Sequence, residues 1–186
     1  MKRLFDFFLA LFASFLLALP IVAVALVVRL TSRGPVLYWS DRVGRRNVIF
    51  KMPKFRTMRV DTPAVATHLL ADPKSYLTPV GSFLRKSSLD ELPQLWSILS
   101  GKMSFVGPRP ALFNQYDLIE LRTQCGVDQL LPGLTGWAQV NGRDELAIPD
   151  KVRLDAEYLK QANLALDIKI LILTFKRVLK SDGVTH

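Results

Sequence analysis

The chain has 186 residues, 49% of them hydrophobic, with 25 Lys and Arg against 16 Asp and Glu, a net charge of +9. That length supports one compact domain plus a membrane element, and the excess of cations points to an anionic partner: nucleic acid, acidic headgroups or phosphorylated substrates. A single cysteine, Cys125, excludes an internal disulfide, and two histidines, His68 and His186, are too few for a structural zinc site. A hard cation held on carboxylates stays compatible with this composition.

From Leu4 to Leu30 nearly every residue is apolar, the exceptions being Asp6, Ser14, Pro20 and Arg29. As a straight helix the run extends about 40 Å, enough to cross a bilayer. It is too long for a cleaved signal core and lacks a small-x-small site after it. Pro20 has no N–H and clashes with the carbonyl of Leu16, so the helix is expected to break there. Lys2 and Arg3 flank one end, and Arg29, Arg33, Arg42, Arg45 and Arg46 the other, whereas a spanning helix has one cation-poor side. Two geometries follow: a kinked single pass, or a Pro-bent hairpin that dips into one leaflet with both ends cytoplasmic.

Gly34-Pro35 ends this element, and Val36–Trp39 and Val48–Met52 read as short strands around a basic turn. Residues 61–81, with Pro63, Pro73 and Pro79, read as an irregular loop, a natural place for substrate selectivity. Helices are predicted over Ser82–Arg85, Leu89–Leu99 and Ala111–Thr123, with Gly101 stopping the second. Turn signals at Leu131–Gly136 and Asn141-Gly142 bracket the short apolar piece Trp137–Val140. Lys151–Lys180 reads as one long helix, with Leu164, Ile168, Leu171, Phe175 and Val178 at helical spacing and Lys169, Lys176, Arg177 and Lys180 supplying charge. It is either a core helix or a basic amphipathic helix lying among lipid headgroups, and a homodimer contact is a further use for it. The fold class is α+β, mainly helical.

Residues 85–110 hold the densest chemistry. Ser88-Leu-Asp-Glu91 has the form of a capping box, which places Asp90 near a helix N-terminus, where an anionic side chain and a bound phosphate are both favoured. Neighbouring helical residues point about 100° apart, so Asp90 and Glu91 take different tasks: one attacks or binds metal, the other orients. Arg85 either reaches the same cleft or stays a surface cation. Arg109 lies between Pro108 and Pro110, and a residue before proline is held extended. An arginine so fixed suits bidentate phosphate binding.

Lys54-Phe-Arg-Thr-Met, Ser88-Leu-Asp-Glu-Leu-Pro-Gln-Leu-Trp, Met103-Ser-Phe-Val-Gly-Pro-Arg-Pro and Pro132-Gly-Leu-Thr-Gly-Trp-Ala-Gln-Val-Asn-Gly-Arg143 recur in this order along the chain. With them the chain resembles the bacterial sugar transferases of the monotopic phosphoglycosyl transferase superfamily, in their minimal form. The resemblance implies a re-entrant membrane helix over residues 1–33, broken at Pro20, and a catalytic domain over 34–186 with amphipathic interfacial helices. It implies transfer of a phospho-sugar from a UDP-sugar to undecaprenyl phosphate at the cytoplasmic face of the bacterial inner membrane, with release of UMP. By the same resemblance Asp90 is the nucleophile of a ping-pong reaction through a covalent aspartyl phospho-sugar, Mg²⁺ is required on Asp90 and Glu91, and Arg85, Arg109 and Arg143 bind substrate phosphate. Ser40 stands where members usually carry Gln, so residues 38–46 receive no catalytic role; Asp167 and Lys169 match the family and read as an ion pair.

A membrane-tethered nucleic-acid binder and a non-catalytic scaffold are the competing classes. The first requires aromatic and arginine clusters on one surface, whereas the cations here are scattered among acidic and Pro/Gly motifs, so nucleic acid is not an expected partner. The second predicts that Asp90→Asn keeps full biological function.

Overall fold

The computed structural model describes residues 1–63, 72–142 and 146–180. The apolar run forms α1 (Lys2–Leu16) and α2 (Ala18–Thr31), which meet at an angle of 63°. The break falls at Leu17 and not at Pro20, which sits in the first turn of α2. Proline cannot donate to the Leu16 carbonyl, so the ladder ends ahead of it, and a helix's first turn is where a missing N–H costs least. No single described helix is long and apolar enough to cross a membrane; only the bent pair passes that test together.

Polar groups fasten α1 to the rest of the chain. Asp6, 1% exposed, accepts hydrogen bonds from Ser104 Oγ at 2.8 Å and Phe105 N at 3.2 Å. Lys2 pairs with Asp167 at 2.6 Å, and Arg3 donates to the carbonyls of Ile98 and Leu99. Ala10 joins Ile98, Met103, Val106 and Ile170 in the core, while Leu4, Phe8, Leu11, Phe12, Phe15 and Leu16 stay exposed.

Strands β1 (Leu37–Val43) and β2 (Ile49–Phe55) pair antiparallel with Ser40 opposite Met52. Helix α3 (Gly81–Lys86) leads into a 3₁₀ segment, Leu89–Gln94, and then α4 (Leu95–Leu99). Gly101 has φ +81°, the left-handed C′ geometry its sequence predicts. Strand β3 (Ser104–Val106) runs parallel to β4 (Gly133–Thr135), joined through α5 (Tyr116–Gln124). The α5 helix begins only at Tyr116 because Ala111 and Leu112 bond to Val43 and Arg42 and stay extended against β1.

Helices α6 (Trp137–Asn141), α7 (Ile148–Gln161) and α8 (Leu164–Lys180) complete the chain. The predicted single C-terminal helix is thus two. Asn163 divides them, its Oδ1 accepting from Leu166 N at 2.9 Å as an N-cap. The α8 stripe faces outward, with Leu164, Ile168, Phe175 and Val178 exposed, while Asp167 and Ile170 are buried on the other side. Of the predicted stripe only Leu171 packs against the core, so the helix serves both uses, with most of the stripe turned outward. Nor do Asp167 and Lys169 pair: Asp167 binds Lys2 and the Tyr158 hydroxyl, and the Lys169 ammonium lies 5.8 Å from the Trp137 ring centre.

Candidate active site

Ser88 adopts a left-handed conformation, φ 57°, and its side chain caps nothing. The capping box is therefore absent. An N-cap residue is normally extended, and the Glu91 carboxylate has stronger partners than a backbone N–H. The left-handed residue turns the chain into the 3₁₀ segment, where successive side chains diverge by about 120°. Asp90 and Glu91 accordingly meet different neighbours.

Glu91 faces two cations. Lys54 Nζ lies 2.7 Å from Oε1, and the Arg109 guanidinium donates to the same oxygen at 3.3 Å. Burial pushes the Glu91 carboxyl up, but the charges and hydrogen bonds of Lys54 and Arg109 outweigh it and hold the pKa at about 2. Asp90, 7% exposed, has only the longer Lys54 contact at 3.9 Å. Burial raises its pKa to about 6; Lys54 opposes the rise, the Glu91 charge adds to it, and Arg85 and Arg109 pull it down. Two adjacent carboxylates are thus driven apart, the pattern by which environment assigns acid–base and nucleophilic roles.

The cations are held by buried scaffolding. Strand alternation puts Lys54 and Met52 on one face of β2. Arg85 comes from α3, with Nε donating to Thr57 Oγ1 at 3.0 Å, and burial lowers its pKa while Asp90 raises it. The carbonyl of Arg109 accepts from Arg122, whose guanidinium grips the buried Asp155 at 2.6 Å. Arg42 donates through Nε to Ser40 Oγ at 3.0 Å and through Nη1 to the Pro110 carbonyl at 3.1 Å. Burial, and then the like charge of Arg109, lower its pKa to about 10.

A model of the family described as bacterial sugar transferase matches residues 1–181. The chain belongs to that family. The sugar transferase EpsL of Bacillus subtilis, described as uncharacterized, is 40% identical over 184 residues, covering 99% of this chain and 90% of that protein. A UDP-glucose:undecaprenyl-phosphate glucose-1-phosphate transferase of Escherichia coli is 42% identical over 188 residues, covering 94% of this chain but 39% of its own length. An undecaprenyl-phosphate galactose phosphotransferase of Salmonella typhimurium is 41% identical over 171 residues, with 81% and 34% covered. The chain therefore spans most of the first relative and little more than a third of the other two.

Of the residues expected in the sugar transferase site, Asp90, Glu91, Arg85 and Arg109 come together through direct or electrostatic contact. Arg143 lies outside the described residues, as does the larger part of the 61–81 loop. Lys54 was visible in the Lys54-Phe-Arg motif but received no role; its period-two place on β2 was the available signal. The same motif's Arg56 is structural, binding Pro35 O at 2.7 Å and Ser32 O at 3.1 Å at the end of α2. Arg42 was set aside because Ser40 replaces the usual Gln, yet the Ser40 hydroxyl still holds the guanidinium.

Proposed function

We propose that this sugar transferase moves a phospho-sugar from a UDP-sugar to undecaprenyl phosphate in two displacements, with Asp90 as the covalent intermediary. The carrying observation is a buried carboxylate, poised near pH 6, with Lys54, Arg85 and Arg109 acting on it. An Asp90 oxygen forms a bond to the β-phosphorus as the bond to the bridging oxygen breaks. UMP leaves with that electron pair. A phosphate oxygen of the lipid then attacks the same phosphorus, and Asp90 departs as carboxylate. Splitting one phosphoryl transfer in this way requires a nucleophile ionised at working pH, which Asp90 is. The surrounding cations stabilise charge on the transferring group.

Mg²⁺ fits the donor set only as a shared ion. Among the described residues no group of three or more His, Cys, Asp or Glu could enclose one, but magnesium typically takes one or two carboxylates plus substrate phosphates. Among the described residues the Asp90 carboxylate has no close hydrogen bond and both Glu91 ion pairs fall on Oε1, so Oε2 is the oxygen placed for a cation. Bound there, the ion would neutralise diphosphate charge.

Residues 1–33 on this reading are a re-entrant anchor in the bacterial inner membrane, with residues 34–186 at its cytoplasmic face. The outward apolar faces of α1 and α8 support contact with membrane lipids. Cysteine labels at residues 2 and 45 should react from the same side of sealed vesicles; labels on opposite sides would mean a span. Purified protein with Mg²⁺, undecaprenyl phosphate and a panel including UDP-glucose, UDP-galactose and UDP-N-acetylated sugars should release UMP. Incubated with UDP-sugar alone it should gain a phospho-sugar mass on Asp90. Release of UMP by Asp90→Asn at the wild-type rate would overturn the mechanism.

A further inference from the structure

Gln94 ends the 3₁₀ segment and is 2% exposed, yet its amide nitrogen Nε2 has no hydrogen-bond partner among the described residues. A buried amide left unpaired is costly and uncommon in native proteins, and a ligand that fills the cleft can supply its acceptor. The side chain lines a small cleft with Arg42, Glu91 and Arg109. One carboxylate and two guanidiniums leave that wall cationic, and a further donor there suits an anion.

The charges acting on Asp90 are Lys54, Glu91, Arg85 and Arg109; those acting on Arg42 are Arg109, Glu91 and Tyr38. Arg109 and Glu91 are common to both sets, and both line the cleft with Arg42 and Gln94, so one group of charges joins the nucleophile to that wall. A diphosphate with one phosphorus at Asp90 would extend its other phosphate toward Arg42 and Gln94. We infer that Gln94 and Arg42 form the subsite for the phosphate that is not attacked, with Nε2 donating to one of its non-bridging oxygens. The inference rests on the phosphoglycosyl transferase reading. As the bond between the β-phosphorus and the bridging oxygen breaks, negative charge collects on the departing UMP. Arg42 and the Gln94 amide then meet that charge without giving up a proton.

Gln94→Met keeps the side chain's length and deletes the amide. For a UDP-sugar that the wild-type protein accepts, KM and the inhibition constant of UMP should each rise about tenfold, the loss of one hydrogen bond to a charged group. KM for undecaprenyl phosphate should not move, because the acceptor attacks at Asp90. The melting temperature should hold or rise, since an unpaired buried amide is gone. A lower melting temperature with unchanged UMP inhibition would make Gln94 structural and overturn the subsite. A change confined to the KM of undecaprenyl phosphate would overturn it too, by assigning the wall to the acceptor. Wild-type protein that releases no UMP from any UDP-sugar would instead refute the reaction itself, and the subsite with it.

Discussion

Asp90→Asn should make the protein more stable while abolishing UMP release. The ordinary carboxyl value is 3.8, and burial raises it to about 6 in the folded protein. Above pH 6 the carboxylate is ionised in both states and the folded state bears the net cost of the charge, burial less the pull of the surrounding cations, about 3 kcal/mol. Between pH 3.8 and 6 the folded state holds the proton more tightly, so stability falls as pH rises through that window. Below it both states are protonated and the cost vanishes. Asparagine carries no charge at any pH, so its advantage should be greatest at pH 8 and fade toward pH 4. For a chain of this size, about 3 kcal/mol corresponds to roughly 6–12 °C in Tm. Thermal unfolding in one detergent at pH 8, 6 and 4.5, followed by tryptophan fluorescence, measures it. A gain that is absent at pH 8 would refute buried charge as the origin of the raised pKa. A gain equal at all three pH values would trace to packing instead.

Three further outcomes follow from the same cluster and its support. Glu91→Gln should destabilise by up to about 3 kcal/mol at pH 7, because the carboxyl is held at about 2 against an ordinary 4.5. That contribution is present above pH 4.5 and lost as pH falls toward 2, which a pH series of urea unfolding would show. Lys54→Met removes the cation that most opposes the rise at Asp90, so the acid limb of kcat/KM should move above its wild-type position near pH 6. Asp6→Leu leaves Ser104 Oγ and Phe105 N without their carboxylate, and should cost about 1–3 kcal/mol in detergent unfolding.

Much of the site was legible because its parts are short and local. Asp90 and Glu91 adjoin in sequence, and Pro108 and Pro110 fix Arg109 by covalent geometry. The bent apolar pair was legible in outline, since a proline in a helix has few outcomes, although the turn lands at Leu17. What sequence alone concealed depends on distant partners. The capping-box pattern at Ser88 loses to Lys54 and Arg109, neither of them near it in sequence. The extended start of the segment before α5 comes from pairing with β1. Lys169 finds the face of Trp137 and Asp167 finds Lys2, exchanges that only packing decides. Asn163 is the exception, a helix cap present in the sequence and passed over because apolar spacing ran on through it.

The two carboxylates also explain each other. Glu91 is ionised well below neutral pH and neutralises much of the charge of Lys54 and Arg109, so those cations stabilise the fold through it. Its negative charge in turn keeps the Asp90 pKa high. On the transferase reading a substrate diphosphate competes with Glu91 for the same two cations. As Lys54 and Arg109 turn toward phosphate, the Glu91 carboxylate loses partners and becomes available to a divalent ion. On that reading Glu91 is a placeholder for the substrate's negative charge, and a neutral glutamine of the same shape should weaken the fold and the chemistry together.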